Sequence, residues 1–206
     1  MPSSLIFGVN DADFVILGIN DYDYSNNTTV MNLLNTYKKV QFDNQFNSGI
    51  SWLPEGITDI NLGMNFDKPL ENLPSTVKRI KIAKYNEIGY SSFNQPLDNL
   101  PNGLEEFTIL FGLLFNQSLD NLPPTLKKIN IISTVFDYPI NNLPSNLEYI
   151  KICKFDYNNT ISLPSQLKQI WILEYKSNVE NLDKPEYNGL RELKNNYPHV
   201  EFIYKV

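Results

Sequence analysis

The chain holds one cysteine, Cys153, and one histidine, His199, among 206 residues. A single thiol excludes an intramolecular disulfide and any zinc cluster built on several cysteines. A single imidazole removes every mechanism that needs two. Positive charge is also scarce: 17 Lys and Arg stand against 23 Asp and Glu, for a net charge of -6. A nucleic-acid binder needs basic surface to neutralise phosphates, so this balance argues against that class. No run approaches the roughly 20 apolar residues that span a bilayer. Residues 4–9 are apolar but too short for a signal-peptide core, lack a basic flank and run into Asp11 and Asp13. No glycine-rich phosphate loop occurs. These absences predict a cytoplasmic protein with no nucleic-acid or membrane partner and no cofactor.

What is present is a core and a period. With 42% hydrophobic and 19% charged residues, the composition is that of a packed chain rather than a disordered one. The 28 Asn and 20 Ile share A/T-rich codons, which suggests an A/T-rich genome. The pair Leu-Pro recurs at Leu53, Leu73, Leu100, Leu122, Leu143 and Leu163, with steps of 20, 27, 22, 21 and 20 residues. The positions four, seven and nine residues past each Leu are apolar in all six copies. They run from Ile57, Ile60 and Leu62 to Leu167, Ile170 and Ile172.

A second block precedes each pair, as in Phe93-Asn94-Gln95-Pro96-Leu97 and Phe66-Asp67-Lys68-Pro69-Leu70. Related copies are Phe115-Asn116-Gln117-Ser118-Leu119 and Phe136-Asp137-Tyr138-Pro139-Ile140. Degenerate copies start at Phe46, Tyr157 and Tyr175. These residues resemble the FNIP repeat family over about residues 40–182. The resemblance implies kinship with leucine-rich repeats, an origin of the kind found in amoebae and giant DNA viruses, and a role as an interaction scaffold. A viral protein of this kind would work in the host cytoplasm. Many members carry an F-box ahead of the repeats; residues 1–38 lack a Leu-Pro-led helical module, which counts against a ubiquitin-ligase role.

The physics leads to the same architecture. Ile-x-Ile after a turn reads as a short strand with alternate side chains inward. A repeat of this size cannot bury its own apolar face, so the copies must stack, strand beside strand, into a parallel sheet along one side of a solenoid. Proline lacks the N–H that a sheet ladder needs, which places Leu-Pro in the turn before each strand. The fold class expected is therefore a β-rich, leucine-rich-repeat-like solenoid in one domain, residues 1–206. It comprises an N-terminal cap at 1–38, repeats at 39–182 and a C-terminal cap at 183–206. In the first cap, residues 4–9 and 14–19 read as strands and residues 30–38 as a helix capped by Thr28 or Thr29, before a strand at 40–42. In the second, residues 186–196 read as a helix with Leu190 and Leu193 inward, and residues 199–204 as a closing strand.

Strand residues between the inward ones point out and form rows across the sheet. The first row is Asp59, Arg79, Glu106, Lys128, Tyr149 and Gln169. The second is Asn61, Lys81, Thr108, Asn130, Lys151 and Trp171. The third is Gly63, Ala83, Leu110, Ile132, Cys153 and Leu173. Arg79, Glu106 and Lys128 are expected to pair across strands. In the third row two readings stand: exposed apolar anchors at Leu110 and Leu173, or a sheet that bends after the ninth position and buries them.

The Phe column reads as an internal spine, and the Asn residues around it, with Asn72, Asn99, Asn121 and Asn142, as turn residues that satisfy backbone. The extra residues at 84–92 map to a surface loop. The run from Asp21 to Asn26 starts like a calcium loop but lacks its Gly and closing Glu, so no metal site is expected. No catalytic constellation is found. The expected function is a non-catalytic scaffold, a monomer or weak homo-oligomer, that binds a partner protein through Arg79, Lys81, Glu106, Leu110, Lys128, Tyr149, Lys151, Trp171 and Leu173. Alternatives are a substrate receptor in ubiquitin ligation, a virion component or a glycan binder.

Overall fold

The computed structural model describes residues 6–10, 13–18, 24–82, 90–153, 162–173 and 188–205. Ten strands form one sheet in strict chain order. Strands β1 (Ile6–Val9) and β2 (Val15–Leu17) make an antiparallel hairpin, and β2 pairs parallel with β3 (Lys39–Phe42). Helix α1 (Thr28–Tyr37) lies between β2 and β3. The stack then adds β4 (Asp59–Leu62), β5 (Arg79–Ile82), β6 (Glu106–Gly112), β7 (Lys128–Ser133), β8 (Tyr149–Cys153) and β9 (Gln169–Leu173), each parallel to the last. Helix α2 (Asn188–Asn196) precedes β10 (Glu201–Lys205), which closes the sheet beside β9. This is the leucine-rich-repeat-like solenoid that the period requires.

The register is the one the Leu-Pro frame implies. Ile60 pairs with Ile80, Ile80 with Phe107, Phe107 with Ile129, Ile129 with Ile150 and Ile150 with Ile170. All six are buried, each stabilising the stack by roughly 1.5–3 kcal/mol relative to an exposed side chain. Each Leu-Pro proline uses its carbonyl to accept the N–H three residues on, closing the turn that launches the strand; Ile57, Val77, Leu104, Leu126, Leu147 and Leu167 are the donors. The residue just before each of β4 to β8 then accepts two N–H groups from the next coil. The carbonyl of Lys78, for example, takes Glu105 N–H at 2.9 Å and Glu106 N–H at 3.0 Å.

Behind the sheet the Phe spine is continuous. Phe46, Phe66, Phe93, Phe115 and Phe136 stack with centroids 6.4, 6.2, 6.1 and 6.1 Å apart, all buried. Its expected continuation at Tyr157 and Tyr175 lies outside the described residues. The residue after each Phe links one coil to the next through its side-chain oxygen. Asn47 Oδ1 accepts Asp67 N–H, and Asp67 Oδ1 accepts Asn94 N–H. Asn94 Oδ1 accepts Asn116 N–H, and Asn116 Oδ1 accepts Asp137 N–H. The donor–acceptor distances lie between 2.8 and 3.1 Å. A turn N–H that no strand partner satisfies needs another acceptor, and this position supplies it at each of these four steps. Asn121 and Asn142 likewise donate to Asp98 and Asp120 of the preceding coils.

Both ends of the stack carry an expected helix, α1 starting two residues earlier than its spacing suggests. The α1 cap is Asn27, not Thr28 or Thr29: its side chain accepts Val30 N–H at 3.1 Å. Tyr24, in a single 3-10 turn before the helix, is buried against Trp52. In α2, Leu193 is buried as expected, while the Leu190 side chain lies outside the described residues.

The third row corrects one expectation. Leu110 and Ile132 are buried, with Cys153, in a small cluster of their own flanked by Phe111. Strand β6 breaks its register between Ile109 and Gly112, and Phe111 takes a left-handed φ of 54°. The alternation therefore ends at the ninth position, and consecutive residues are buried there, two in β6 and β8 and three in β7. Apolar side chains here gain more by folding under the sheet edge than by continuing the pleat. Gly63 opens this row, and its size is required: a Cβ there would meet the Asp43 carbonyl oxygen at 2.3 Å.

Candidate partner-binding face

The first two rows and the residues that edge them form the outward strand face. The first row is tied together by charge. Arg79 donates to both carboxylate oxygens of Asp59 through its Nε and one terminal guanidinium nitrogen, and the nearly buried Asp59 keeps the guanidinium's pKa up. Lys128 Nζ lies 3.0 Å from Glu106 Oε1. The expected trio of Arg79, Glu106 and Lys128 is thus split, because the nearly buried Asp59 claims the arginine. Lys128 also sits 5.7 Å from the centre of the Tyr149 ring, and Lys168 lies 5.9 Å from the same ring.

The second row is half-buried from Lys81 to Trp171. Lys151 Nζ stands 5.1 Å over the Trp171 ring, whose indole N–H donates to Gln169 Oε1. Between the rows lies a shallow hollow of about 590 Å³, with Thr108, Asn130, Tyr149, Lys151 and Trp171 among its lining residues. Of the expected contact residues, Arg79, Lys81, Glu106, Lys128, Tyr149, Lys151 and Trp171 all lie on this face. Leu110 does not, being buried, and the Leu173 side chain lies outside the described residues.

A row that sequence reasoning passed over edges the face just before the strands: Thr58, Lys78, Glu105, Lys127, Glu148 and Lys168. Its signs alternate, and its members pair: Lys127 with Glu105 at 2.9 Å, Lys78 with Glu105 at 3.6 Å, and Lys168 with Glu148 at 2.6 Å. The lysine neighbours hold both carboxyls below their ordinary range. The signal was in the sequence, as regular sign alternation five residues past each Leu-Pro leucine. Exposed Leu113, Leu114 and Val135, just ahead of the spine Phe residues, were also passed over.

Among the described residues, no group of His, Cys, Asp or Glu is placed to hold a metal ion. Cys153 is buried, and burial pushes its thiol up to about 11, away from nucleophilic use. Among the described residues no helix is long and apolar enough to cross a membrane.

Fold and face together define a parallel β-solenoid of leucine-rich-repeat-like kind. Residues 42–85 match the model of the FNIP repeat, so the chain carries FNIP repeats there. The Phe-Asn/Asp block and Leu-Pro frame of that segment continue in register through the later coils. None of the curated proteins matches this chain.

Proposed function

We propose that the chain is a non-catalytic, cytoplasmic scaffold that binds a partner protein on its strand face, as a monomer or weak homo-oligomer. The observation that carries this reading is the second-row hollow. It is broad and shallow, with half-buried Trp171 and Tyr149 set among lysines. Aromatic residues flanked by cations are the residue types that dominate protein contacts. An enzyme would instead gather a few polar groups toward a reacting atom in an enclosed pocket.

The test is affinity purification with mass spectrometry from the native cell, using wild type and the double variant Trp171→Ala, Tyr149→Ala. Circular dichroism should show the same fold for both. Specific partners recovered with wild type should drop out with the variant. Equal recovery by both proteins would sink the assignment of this face. Light scattering on a sizing column should report a single chain at low concentration.

A further inference from the structure

Resting on the strand-face reading above, we infer that the second row grips an acidic, extended segment of the partner. The starting observation is a contrast in pairing between neighbouring rows. The edge row and the first row satisfy their own charges across the coils, as in Lys127 with Glu105, Lys128 with Glu106 and Arg79 with Asp59. In the second row, register aligns Thr108, Asn130 and Lys151 on adjacent strands, about 4.8 Å apart. Among the described residues these three side chains make no hydrogen bond and no ion pair. Lys151 meets only the face of Trp171, which holds its ammonium over the hollow. The Asn130 carbonyl oxygen is enclosed and without a partner, so the accessible end of its amide is the NH2.

The floor of the hollow thus presents a hydroxyl, an amide NH2 and an ammonium in line. All three donate, and one is charged, so the complementary ligand is acceptor-rich and negative. The field of the face agrees. From β4 to β9 the three rows carry the cations Lys78, Arg79, Lys81, Lys127, Lys128, Lys151 and Lys168. Against them stand only the anions Asp59, Glu105, Glu106 and Glu148, on a chain whose net charge is -6. Cations are concentrated here, which steers a negative partner to this side. A carboxylate seated between Asn130 and Lys151 takes both donors, and an oxygen further along the same segment reaches Thr108.

Two other ligands fit less well. A neutral sugar stacks on an open aromatic face, and here the lysine already occupies one face of Trp171. A nucleic acid brings dense phosphate charge against Glu106 and Glu148, which also line the hollow. A carboxylate at the end of a flexible side chain reaches Asn130 and Lys151 without bringing its own backbone against those glutamates.

The experiment titrates the full chain with poly-L-glutamate, following tryptophan fluorescence, to which Trp52 and Trp171 both contribute, and confirming by calorimetry. Hyaluronate, single-stranded DNA and poly-L-lysine serve as comparisons. Saturable binding of poly-L-glutamate is expected, with a spectral change absent in Trp171→Phe and weakened by added salt. Lys151→Glu and Asn130→Asp should each weaken it about tenfold or more. Lys68→Glu makes the same charge change away from the three rows and should weaken it less than about twofold. Equal loss in Lys151→Glu and Lys68→Glu would overturn the proposal, as would tighter binding of hyaluronate or DNA. Absence of poly-L-glutamate binding would also overturn it. If the Trp171, Tyr149 double variant then still loses its native partner, the strand-face reading survives and only the acidic segment is lost.

Discussion

The two sides of the coil treat polar groups in opposite ways. Along the spine, Asn47, Asp67, Asn94 and Asn116 each give an oxygen to the next coil, so every such side chain is committed to the stack. On the strand face, Thr108, Asn130 and Lys151 make no hydrogen bond or ion pair within the described residues, and Lys151 rests only over the Trp171 ring. A polar residue repeated and paired in every coil serves the solenoid. A polar residue that differs from coil to coil and remains unpaired is available for something outside it.

That contrast can be broken most severely from within. Ile129→Asp places a carboxylate in the buried column between Phe107 and Ile150. The expected loss exceeds about 4 kcal/mol, enough to abolish cooperative unfolding in a melting curve. Phe93→Ala opens a gap between the Phe66 and Phe115 rings and should destabilise by about 3–5 kcal/mol in urea. Next comes Asn94→Ala, which orphans the Asn116 N–H and one donor of Gln117. A loss of about 1–3 kcal/mol is expected, and Asn94→Asp should recover most of it, because position 67 already uses Asp in this role.

The strand face should respond in the other direction. Asn130→Val removes an enclosed carbonyl oxygen with no partner and adds a β-branched side chain to a strand. Stability should rise by about 0.5–1 kcal/mol in the same urea titration, while any acidic ligand binds less well. The smallest effect belongs to the edge row. Glu105 titrates below its ordinary range because of Lys127. The stability it lends is whole above the ordinary carboxylate pKa and is lost as pH falls through the lowered one. Because the pair is largely solvent-exposed, Glu105→Gln should shift the acid limb of a pH–stability curve only slightly.

Much of this was legible in the residues. The Leu-Pro frame placed the strand starts at Asp59, Arg79, Glu106, Lys128, Tyr149 and Gln169, because a turn and a period of two leave little freedom between them. The third row was not settled by the same period. Nothing in Leu110-Phe111-Gly112 announces that a phenylalanine will take a left-handed φ and fold its neighbour under the sheet. Asn27, Thr28 and Thr29 are all competent helix caps, and local preference does not separate them. Arg79 had carboxylates on both sides. The choice of Asp59 over Glu106 follows from burial, since a nearly enclosed carboxylate needs a guanidinium more than an exposed one does.

The bond from Asn94 N–H to Asp67 Oδ1 spans 27 residues of chain, and the one from Asp67 N–H to Asn47 Oδ1 spans 20, yet both close at ordinary length. The scaffold therefore gauges height, not chain length: each new layer is seated by its contacts with the layer below, however long the path between them. A gene coding for such a protein can lengthen one coil, or duplicate another, without putting its neighbours out of step.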